Sequence, residues 1–334
     1  MKRQTLIFTA PRQAELREES LPPLGTDQAL VQTVCSAISA GTEMLIYRGQ
    51  FPEGMDDRHD KFTTGLHYPL SCGYACVGRV IEVGSQVDPS LSGRLVFSFQ
   101  PHSSHFICSA NSLIAVPDGR SADAACLLPN VETAVNLVQD GAPILGERVL
   151  VLGQGVVGLL AASLLSEFPL AALLAADPLE LRRKASPAPS ILDPSGPGFM
   201  DQARSLLEGG SDLTFELSGS PAALDSAIAL TTFTGRIVIG SWYGQKRASL
   251  DLGGAFHRSR IHLISSQVST IAPELSARWD KSRRFGVAWD ALGRIRPERW
   301  ITHRFLFSRL GEAYRLLDES PQDAIQVILE YPLS

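Results

Sequence analysis

The chain has 334 residues, 44 % of them hydrophobic and 19 % charged, and carries a formal net charge of −5. That length supports two domains with cores of their own, and the composition argues against a disordered or membrane-embedded chain. With mild acidity and no dominant basic block, nucleic acid is not an expected partner.

The opening MKRQTLIFTAPRQ turns polar too soon for a secretory signal. No apolar run is long enough to span a bilayer. The nearest, LLAASLLSEFPLAALLAA, is broken by Ser163, Ser166, Glu167 and Pro169. The five cysteines (35, 72, 76, 108 and 126) are odd in number and scattered. They read as free thiols in a reducing cytoplasm, the expected location.

In chain order, the first 120 or so residues read as short strands with turns: QALVQTVCSAIS, CVGRVIEVGS and GRLVFSFQ are rich in β-branched residues and bounded by Gly, Asp or Pro. The segment 51–66 begins with the polar, aperiodic FPEGMDDRHDKFTT and predicts a loop of the kind that lies over a site. From about Ser121 the rhythm changes. SADAACLLPNVETAVNLVQDG predicts helix, RVLVLG strand, VVGLLAASLLSEF helix and AALLAAD strand, and LTFELSG, GRIVIGS and IHLISSQV follow as strands. SPAPSILDPSGPG (186–198) reads as a Pro-rich loop. Strands alternating with helices predict a doubly wound parallel sheet. After it come a helix over PELSARWDKSRRFGVAWDALGR, a strand at THRFLFS, a helix at GEAYRLLDES and a last strand at AIQVILEY. The basic stretch Arg278–Arg284 reads as the solvated face of the first of these helices.

Gly153-Gln154-Gly155-Val156-Val157-Gly158 follows the strand RVLVL and opens an apolar helix. In that context G-x-G-x-x-G is a dinucleotide fingerprint: Gly153 for the tight turn, Gly155 for close approach of the pyrophosphate, Gly158 for helix–sheet packing. The helix N-terminus supplies free N–H groups and a positive dipole end. Asp177 ends the next strand, 19 residues after Gly158. A carboxylate there accepts the ribose hydroxyls and repels a 2′-phosphate, which favours NAD over NADP. Arg182, Arg183 and Lys184 follow closely and leave NADP open, and Asp177 also suits a cap for the helix PLELRRK. Ser218, Gly240-Ser241-Trp242 and Ser265-Ser266 each follow a predicted strand, so they are expected to border ribose and nicotinamide.

The chain resembles the medium-chain dehydrogenase/reductase superfamily almost end to end. The residues that carry the resemblance are SAGTE (39–43), GYACVGRVIEVGS (73–85), VPDG (116–119), ETA (132–134) and GERVLVLGQGVVGLLAA (146–162). SAGTE with YRG, GYA and ISSQVST (264–270) is similar to the branch described as zinc-binding alcohol dehydrogenase-like, which includes the bacteriochlorophyllide hydroxyethyl dehydrogenases. The resemblance implies an α/β chain with a GroES-like β-rich catalytic domain from both chain ends (1–122 and 270–334). A Rossmann nucleotide-binding domain (123–269), with Thr133 at the cofactor, lies between them. It also implies a small-molecule substrate and dimerisation.

The chain departs from the family pattern at the metal. Zinc members carry a Cys just before Gly-Thr-Asp, where this chain has Ala40. Their Gly-His-Glu is Gly73-Tyr74-Ala75 here, and the further Cys or Glu ligand, four residues before Thr133, is Pro129. Neither Ala nor Pro offers a side-chain donor, so no zinc is expected, and the four-cysteine lobe of a structural zinc is absent. His102, His105 and Cys108 contain ligand types, but on a strand His105 faces away from the other two.

Without a metal, hydrogen-bond donors must steady the reacting oxygen. The resemblance points to Thr42, which matches the family's proton-passing Ser/Thr, and to Tyr74, which stands at a ligand position. The relay His three residues beyond that Ser/Thr is Leu45 here. Either hydroxyl also suits a structural role, and Glu43 is expected to support the fold. His67 and Glu132 are candidate bases or substrate contacts, with structural roles as the alternative. Tyr47 and Trp242 suit either a substrate-pocket wall or the core. The function expected is a zinc-independent NAD(P)-linked oxidoreductase on an alcohol/carbonyl pair. The alternatives are an enoyl or quinone reductase and a non-catalytic dinucleotide-binding protein.

Overall fold

The computed structural model describes residues 1–52 and 66–332. Most of the expected loop, residues 53–65, lies outside the described residues. The backbone forms two compact units, one of Met1–Pro129 with Arg296–Ser334, the other of Asn130–Ile295.

The first unit opens with strands β1 (Lys2–Ala10), β2 (Gln13–Ser20) and β3 (Gln28–Ile38), followed by the short helix α1 (Thr42–Tyr47). Strands β4 (Leu70–Ser71), β5 (Cys76–Val83), β6 (Leu95–Ser98), β7 (His105–Ser109) and β8 (Ile114–Ala115) follow, then helix α2 (Ala122–Ala125). The second unit takes up most of α3 (Leu128–Gly141) and continues through β9 (Arg148–Leu152), α4 (Val156–Leu165), β10 (Ala172–Ala176) and α5 (Glu180–Ala185). Next come β11 (Ser190–Leu192), α6 (Phe199–Leu206), β12 (Ser211–Glu216), α7 (Ala223–Leu230), β13 (Thr231–Ile239), β14 (His262–Ser265) and α8 (Lys281–Ile295). The chain then returns to the first unit with β15 (Ile301–Leu306), α9 (Leu310–Glu319) and β16 (Gln326–Glu330).

In the first unit β2, β1 and β4 make a small antiparallel sheet. A larger sheet runs β15-β16-β3-β5-β6-β8, with β7 also on β3. The last strand thus pairs with the third, Ile328 opposite Ala37, which ties the two chain ends into one unit. The apolar face of β3, β5, β6 and β7 buries Val31, Cys76, Val80, Val96 and Phe106. The register sets Ser36 opposite Cys76, and the Ala37 amide donates to the Ala75 carbonyl at 3.0 Å. Residues 73–75 therefore run alongside the end of β3, where Ser39 and α1 begin.

The second unit is a six-stranded parallel sheet in the order β11-β10-β9-β12-β13-β14, the doubly wound dinucleotide-binding order. Its core gathers Leu150, Leu152, Leu174, Ala203, Ala227 and Ile237.

The fold departs from the sequence expectations in several places. Strand β11 lies inside the stretch read as a Pro-rich loop, paired Ala175 to Ile191 with β10; three residues between prolines give no period to detect. The helix expected from residue 273 starts at Lys281, where the Asp280 carboxylate accepts the Arg283 amide at 2.7 Å and caps it. Residues 270–295, expected with the catalytic domain, belong to the second unit. Arg284, read as part of a solvated face, is 0 % exposed. Its guanidinium donates to Glu132 at 2.8 and 3.0 Å, to the Thr270 carbonyl at 3.0 Å, and to Asn136 and the Val268 carbonyl.

Candidate active site

Tyr74 sits in the turn between β4 and β5, and Thr42 is the first residue of α1. The register described above brings them together. The Tyr74 phenol shares hydrogen bonds with the side chains of Ser39 and Thr42. Ser39 also ties the start of the helix, its hydroxyl accepting the Thr42 amide at 3.3 Å. Burial, and then the negative charge of Glu43, push the Tyr74 phenol up to about 12, while the Ser39 and Thr42 hydroxyls pull the other way. At neutral pH this phenol keeps its proton and acts as a donor.

Beneath this cluster lies a chain of buried polar side chains. Glu43 is 0 % exposed. One carboxylate oxygen accepts the Ser39 amide at 2.8 Å. The other accepts the Tyr314 hydroxyl at 2.6 Å and faces His102 Nε2 at 3.0 Å. His102, also 0 % exposed, meets the Ser36 hydroxyl through Nδ1 at 2.7 Å, and Ser36 in turn meets the Tyr331 hydroxyl at 2.8 Å. The expectation that Glu43 supports the fold agrees with this placement. Ser39, Ser36 and Tyr314 were not singled out from sequence. Ser39 stands inside the SAGTE stretch that carries the family resemblance, and that was the signal available for it.

The family's metal has no matching donor set at these positions. Ala40, Tyr74 and Pro129 offer no zinc donor of the family's kind, and both ring nitrogens of His102 are engaged within the buried chain. His105 lies on β7 with Nδ1 beside the Ser104 hydroxyl, 3.2 Å away. Among the described residues, no group of three His, Cys, Asp or Glu side chains is arranged to hold a metal. The three positions that correspond to the family's ligands thus supply none of its usual zinc donors.

In the second unit the glycine turn has the geometry of a phosphate cradle. Gly153 has φ +96°, and a Cβ there would meet the Leu217 backbone at 2.6 Å. A Cβ on Gly158 would lie 2.0 Å from the Gly153 carbonyl, so only glycine lets α4 pack against the turn. Gly155 caps α4 with no side-chain hydrogen bond, and its own missing Cβ faces nothing nearer than Arg182 Nη1 at 3.9 Å. The first-turn amides, with Val156 buried and Val157 partly exposed, open there to an anion. Gln154 is turned inward. Its side-chain amide donates to the Gly153 carbonyl at 2.9 Å and its Oε1 accepts the Ser186 hydroxyl at 2.8 Å.

Asp177 stands at the tip of β10 and accepts the Gln154 and Leu179 amides at 2.7 and 2.8 Å, so the cap reading and the ribose reading fall on the same group. Arg182 Nη1 lies 4.0 Å from it. Arg183 is spent on the Asp177 and Pro178 carbonyls at 2.8 and 2.7 Å and on Asp193 at 3.1 Å.

The other expected site residues separate into groups. Exposed Ser218 donates its amide to Glu216 at 2.8 Å, and Ser241 accepts the Gly219 amide at 2.9 Å. Gly240 is required by packing, since a Cβ would meet Leu137 and Leu217 at 2.5 and 2.6 Å. These residues share the carboxyl edge of the sheet with partly buried Trp242 and exposed Ser265. Ser266 instead donates to Asp140 at 2.6 Å and accepts from Asn136 at 2.9 Å, which turns it toward α3. Thr133 lies on α3, partly buried. Glu132 on the same helix is 2 % exposed and held by Arg284 at 2.8 Å and by Lys281 at 2.9 Å. Tyr47 is in the core of its unit, stacked on Tyr314 at 5.3 Å with its hydroxyl on the Arg12 carbonyl at 3.1 Å. His67 is exposed.

Beyond its own geometry, the chain has relatives that span its length, although no family model matches it. It is 25 % identical over 343 residues to D-guloside 3-dehydrogenase of Escherichia coli K12, covering 96 % of this chain and 98 % of that one. It is 24 % identical over 354 residues to 2-desacetyl-2-hydroxyethyl bacteriochlorophyllide A dehydrogenase of Cereibacter sphaeroides, covering 99 % of each. In fold it superposes on a short chain alcohol dehydrogenase of E. coli CFT073, solved with NADH, with a TM-score of 0.80 and 19 % identity over 98 % of this chain and 99 % of that one. The chain is thus similar over its whole length to dehydrogenases, and it shares the two-domain fold of the solved alcohol dehydrogenases.

Proposed function

We propose that the protein is an NAD-linked, zinc-independent oxidoreductase that interconverts an alcohol and a carbonyl. In it, the hydroxyls of Tyr74 and Thr42, with Ser39, steady the reacting oxygen. The observation that carries this reading is the hydroxyl cluster itself, in which Tyr74 stands at a position that the resemblance aligns with a zinc ligand.

The second unit fits the cofactor. Gly155 and the first turn of α4 would hold the pyrophosphate, and Asp177 the adenosine ribose, which favours NAD. When bound, the nicotinamide supplies or accepts the hydride. The chain's own contribution is at the oxygen. Tyr74 Oη donates a hydrogen bond and then its proton to the developing alkoxide, and water restores it. Thr42 and Ser39 share the negative charge while the phenol is without its proton. A phenol held near 12 keeps its proton at neutral pH and is still more acidic than the alcohol that the developing alkoxide becomes, which suits the reducing direction.

Tyr74→Phe is expected to lower kcat for carbonyl reduction by about tenfold or more, an oxyanion-donor loss, with NADH affinity unchanged; near-wild-type turnover would remove Tyr74 from the mechanism. A ketone is expected to be reduced in preference to its α,β-unsaturated analogue, and NADH to serve better than NADPH. Stoichiometric zinc needed for turnover, or preferred reduction of the unsaturated carbon, would overturn the reading.

A further inference from the structure

The chain of buried groups under the hydroxyl cluster does more than fill space. Two backbone segments have to be held together for that cluster to exist: the turn carrying Tyr74 and the loop carrying Ser39 and Thr42. His102 packs on the first. It lies so close to Gly73 that a Cβ there would meet the imidazole at 2.5 Å, and the His102 amide donates to the Cys72 carbonyl at 2.9 Å. Glu43 holds the second through the Ser39 amide at 2.8 Å, and its own amide donates to the Ser39 carbonyl at 3.1 Å. The 3.0 Å contact between Glu43 and His102 Nε2 joins the two segments. Ser36 with Tyr331 behind His102, and Tyr314 behind Glu43, fix both ends.

We infer that Glu43 and His102 are positioning residues: a buried strut that sets the distance between the Tyr74 phenol and the Ser39 and Thr42 hydroxyls. This rests on the proposed role of those hydroxyls.

The electrostatic surroundings give the strut a signature. The titratable groups packed around it are Cys35 on β3, Cys72 and Cys76, Tyr314 on α9 and Tyr331 at the end of β16. Cys72, Cys76, Tyr314 and Tyr331 are pushed up, chiefly by burial, and are neutral at neutral pH. Glu43 therefore supplies the negative charge that Tyr74 feels from beneath. A residue that only filled space would not set the ionisation of the phenol.

The test combines turnover with a signal that does not need it. Tyrosine ring-carbon NMR, with the Tyr74 resonance assigned by its absence from Tyr74→Phe, follows the phenol directly. Glu43→Gln is expected to bring Tyr74 ionisation down by about one pH unit, because the like charge that opposes the phenolate is gone. His102→Leu is expected to lower kcat by about tenfold with the KM for NADH unchanged, and His102→Gln, which restores a donor toward Glu43, to recover most of that loss. In the Tyr74→Phe background the further loss from His102→Leu is expected to be under about twofold, because coupled residues do not add.

A Tyr74 resonance that titrates unchanged in Glu43→Gln overturns the strut, and so do fully additive losses. If the resonance moves but Tyr74→Phe turns over normally, the strut stands and the proposed role of the phenol fails. Should His102→Leu not fold, the Glu43→Gln titration decides alone.

Discussion

At the scale of single residues, the glycine turn separates two requirements that the bare motif merges. Gly158 is demanded by packing, since its Cβ would lie 2.0 Å from the Gly153 carbonyl. Gly155 has φ −64° and room for a methyl group, so what it leaves open is the ligand's path. Gly158→Ala is therefore expected to destabilise the protein by about 1–3 kcal/mol, the usual cost of overpacking. Gly155→Ala is expected to melt within about 0.5 kcal/mol of wild type yet bind NADH at least about tenfold more weakly, a loss of about 1.4 kcal/mol. Thermal melts and a fluorescence titration on the two variants check this. Equal loss of stability in both would mean that the fold, not the cofactor, requires all three glycines. Tyr74 adds a pH dependence at the same scale. Its folded-state value lies above the ordinary phenol value, so the folded state holds the proton more tightly than the unfolded chain. That contribution to stability is full below about pH 10 and is lost as the pH rises toward about 12. Between those limits the wild type should lose stability faster than Tyr74→Phe in urea unfolding; parallel curves would contradict the raised value.

At the scale of elements, α3 and α8 are joined by an ion pair that a local reading could not find. RWDKSRR has the charge run of a solvated helix face, and Arg284 sits within it. Its partner Glu132 lies 152 residues upstream, and no spacing rule links the two. The same limit hid the strut, since Glu43 and His102 are 59 residues apart and Glu43 and Tyr314 are 271 apart. His102 could be read only as one of three potential ligands in HSSHFIC. By contrast, the strand–turn–helix of β9 and α4 was legible because its mechanism is local, each glycine acting on atoms a few residues away or on the ligand. The α3–α8 pair also makes an asymmetric prediction. Glu132→Leu strands a guanidinium that is 0 % exposed, and breaking a buried pair in this way costs about 3–5 kcal/mol. Arg284→Met leaves Glu132 with Lys281 at 2.9 Å and should cost less. Chemical denaturation of the two variants gives the order; a larger loss for Arg284→Met would show that Lys281 does not compensate.

At the scale of the whole chain, the main division was legible because the character of the sequence changes at about residue 121, from short β-branched strands to alternating strands and helices. The return point was not. The helix pattern continues unbroken through residues 281–295, and it is tertiary contacts, Arg284 with Glu132 and Arg294 with Glu167 among them, that tie that helix to the second unit. The polypeptide thus crosses between its units twice, and the elements proposed to hold the cofactor all lie in the inserted one, residues 130–295. A ligand that binds only the folded state stabilises what it binds, by about 2.7 kcal/mol at one hundred times its dissociation constant. NADH should therefore raise the unfolding temperature and slow hydrogen exchange first at residues 153–158 and around Asp177. Residues 2–10 and 13–20, in the small sheet of the other unit, should change least. Protection that instead begins in β1 and β2 and spares the glycine turn would place the nucleotide away from residues 153–158 and Asp177.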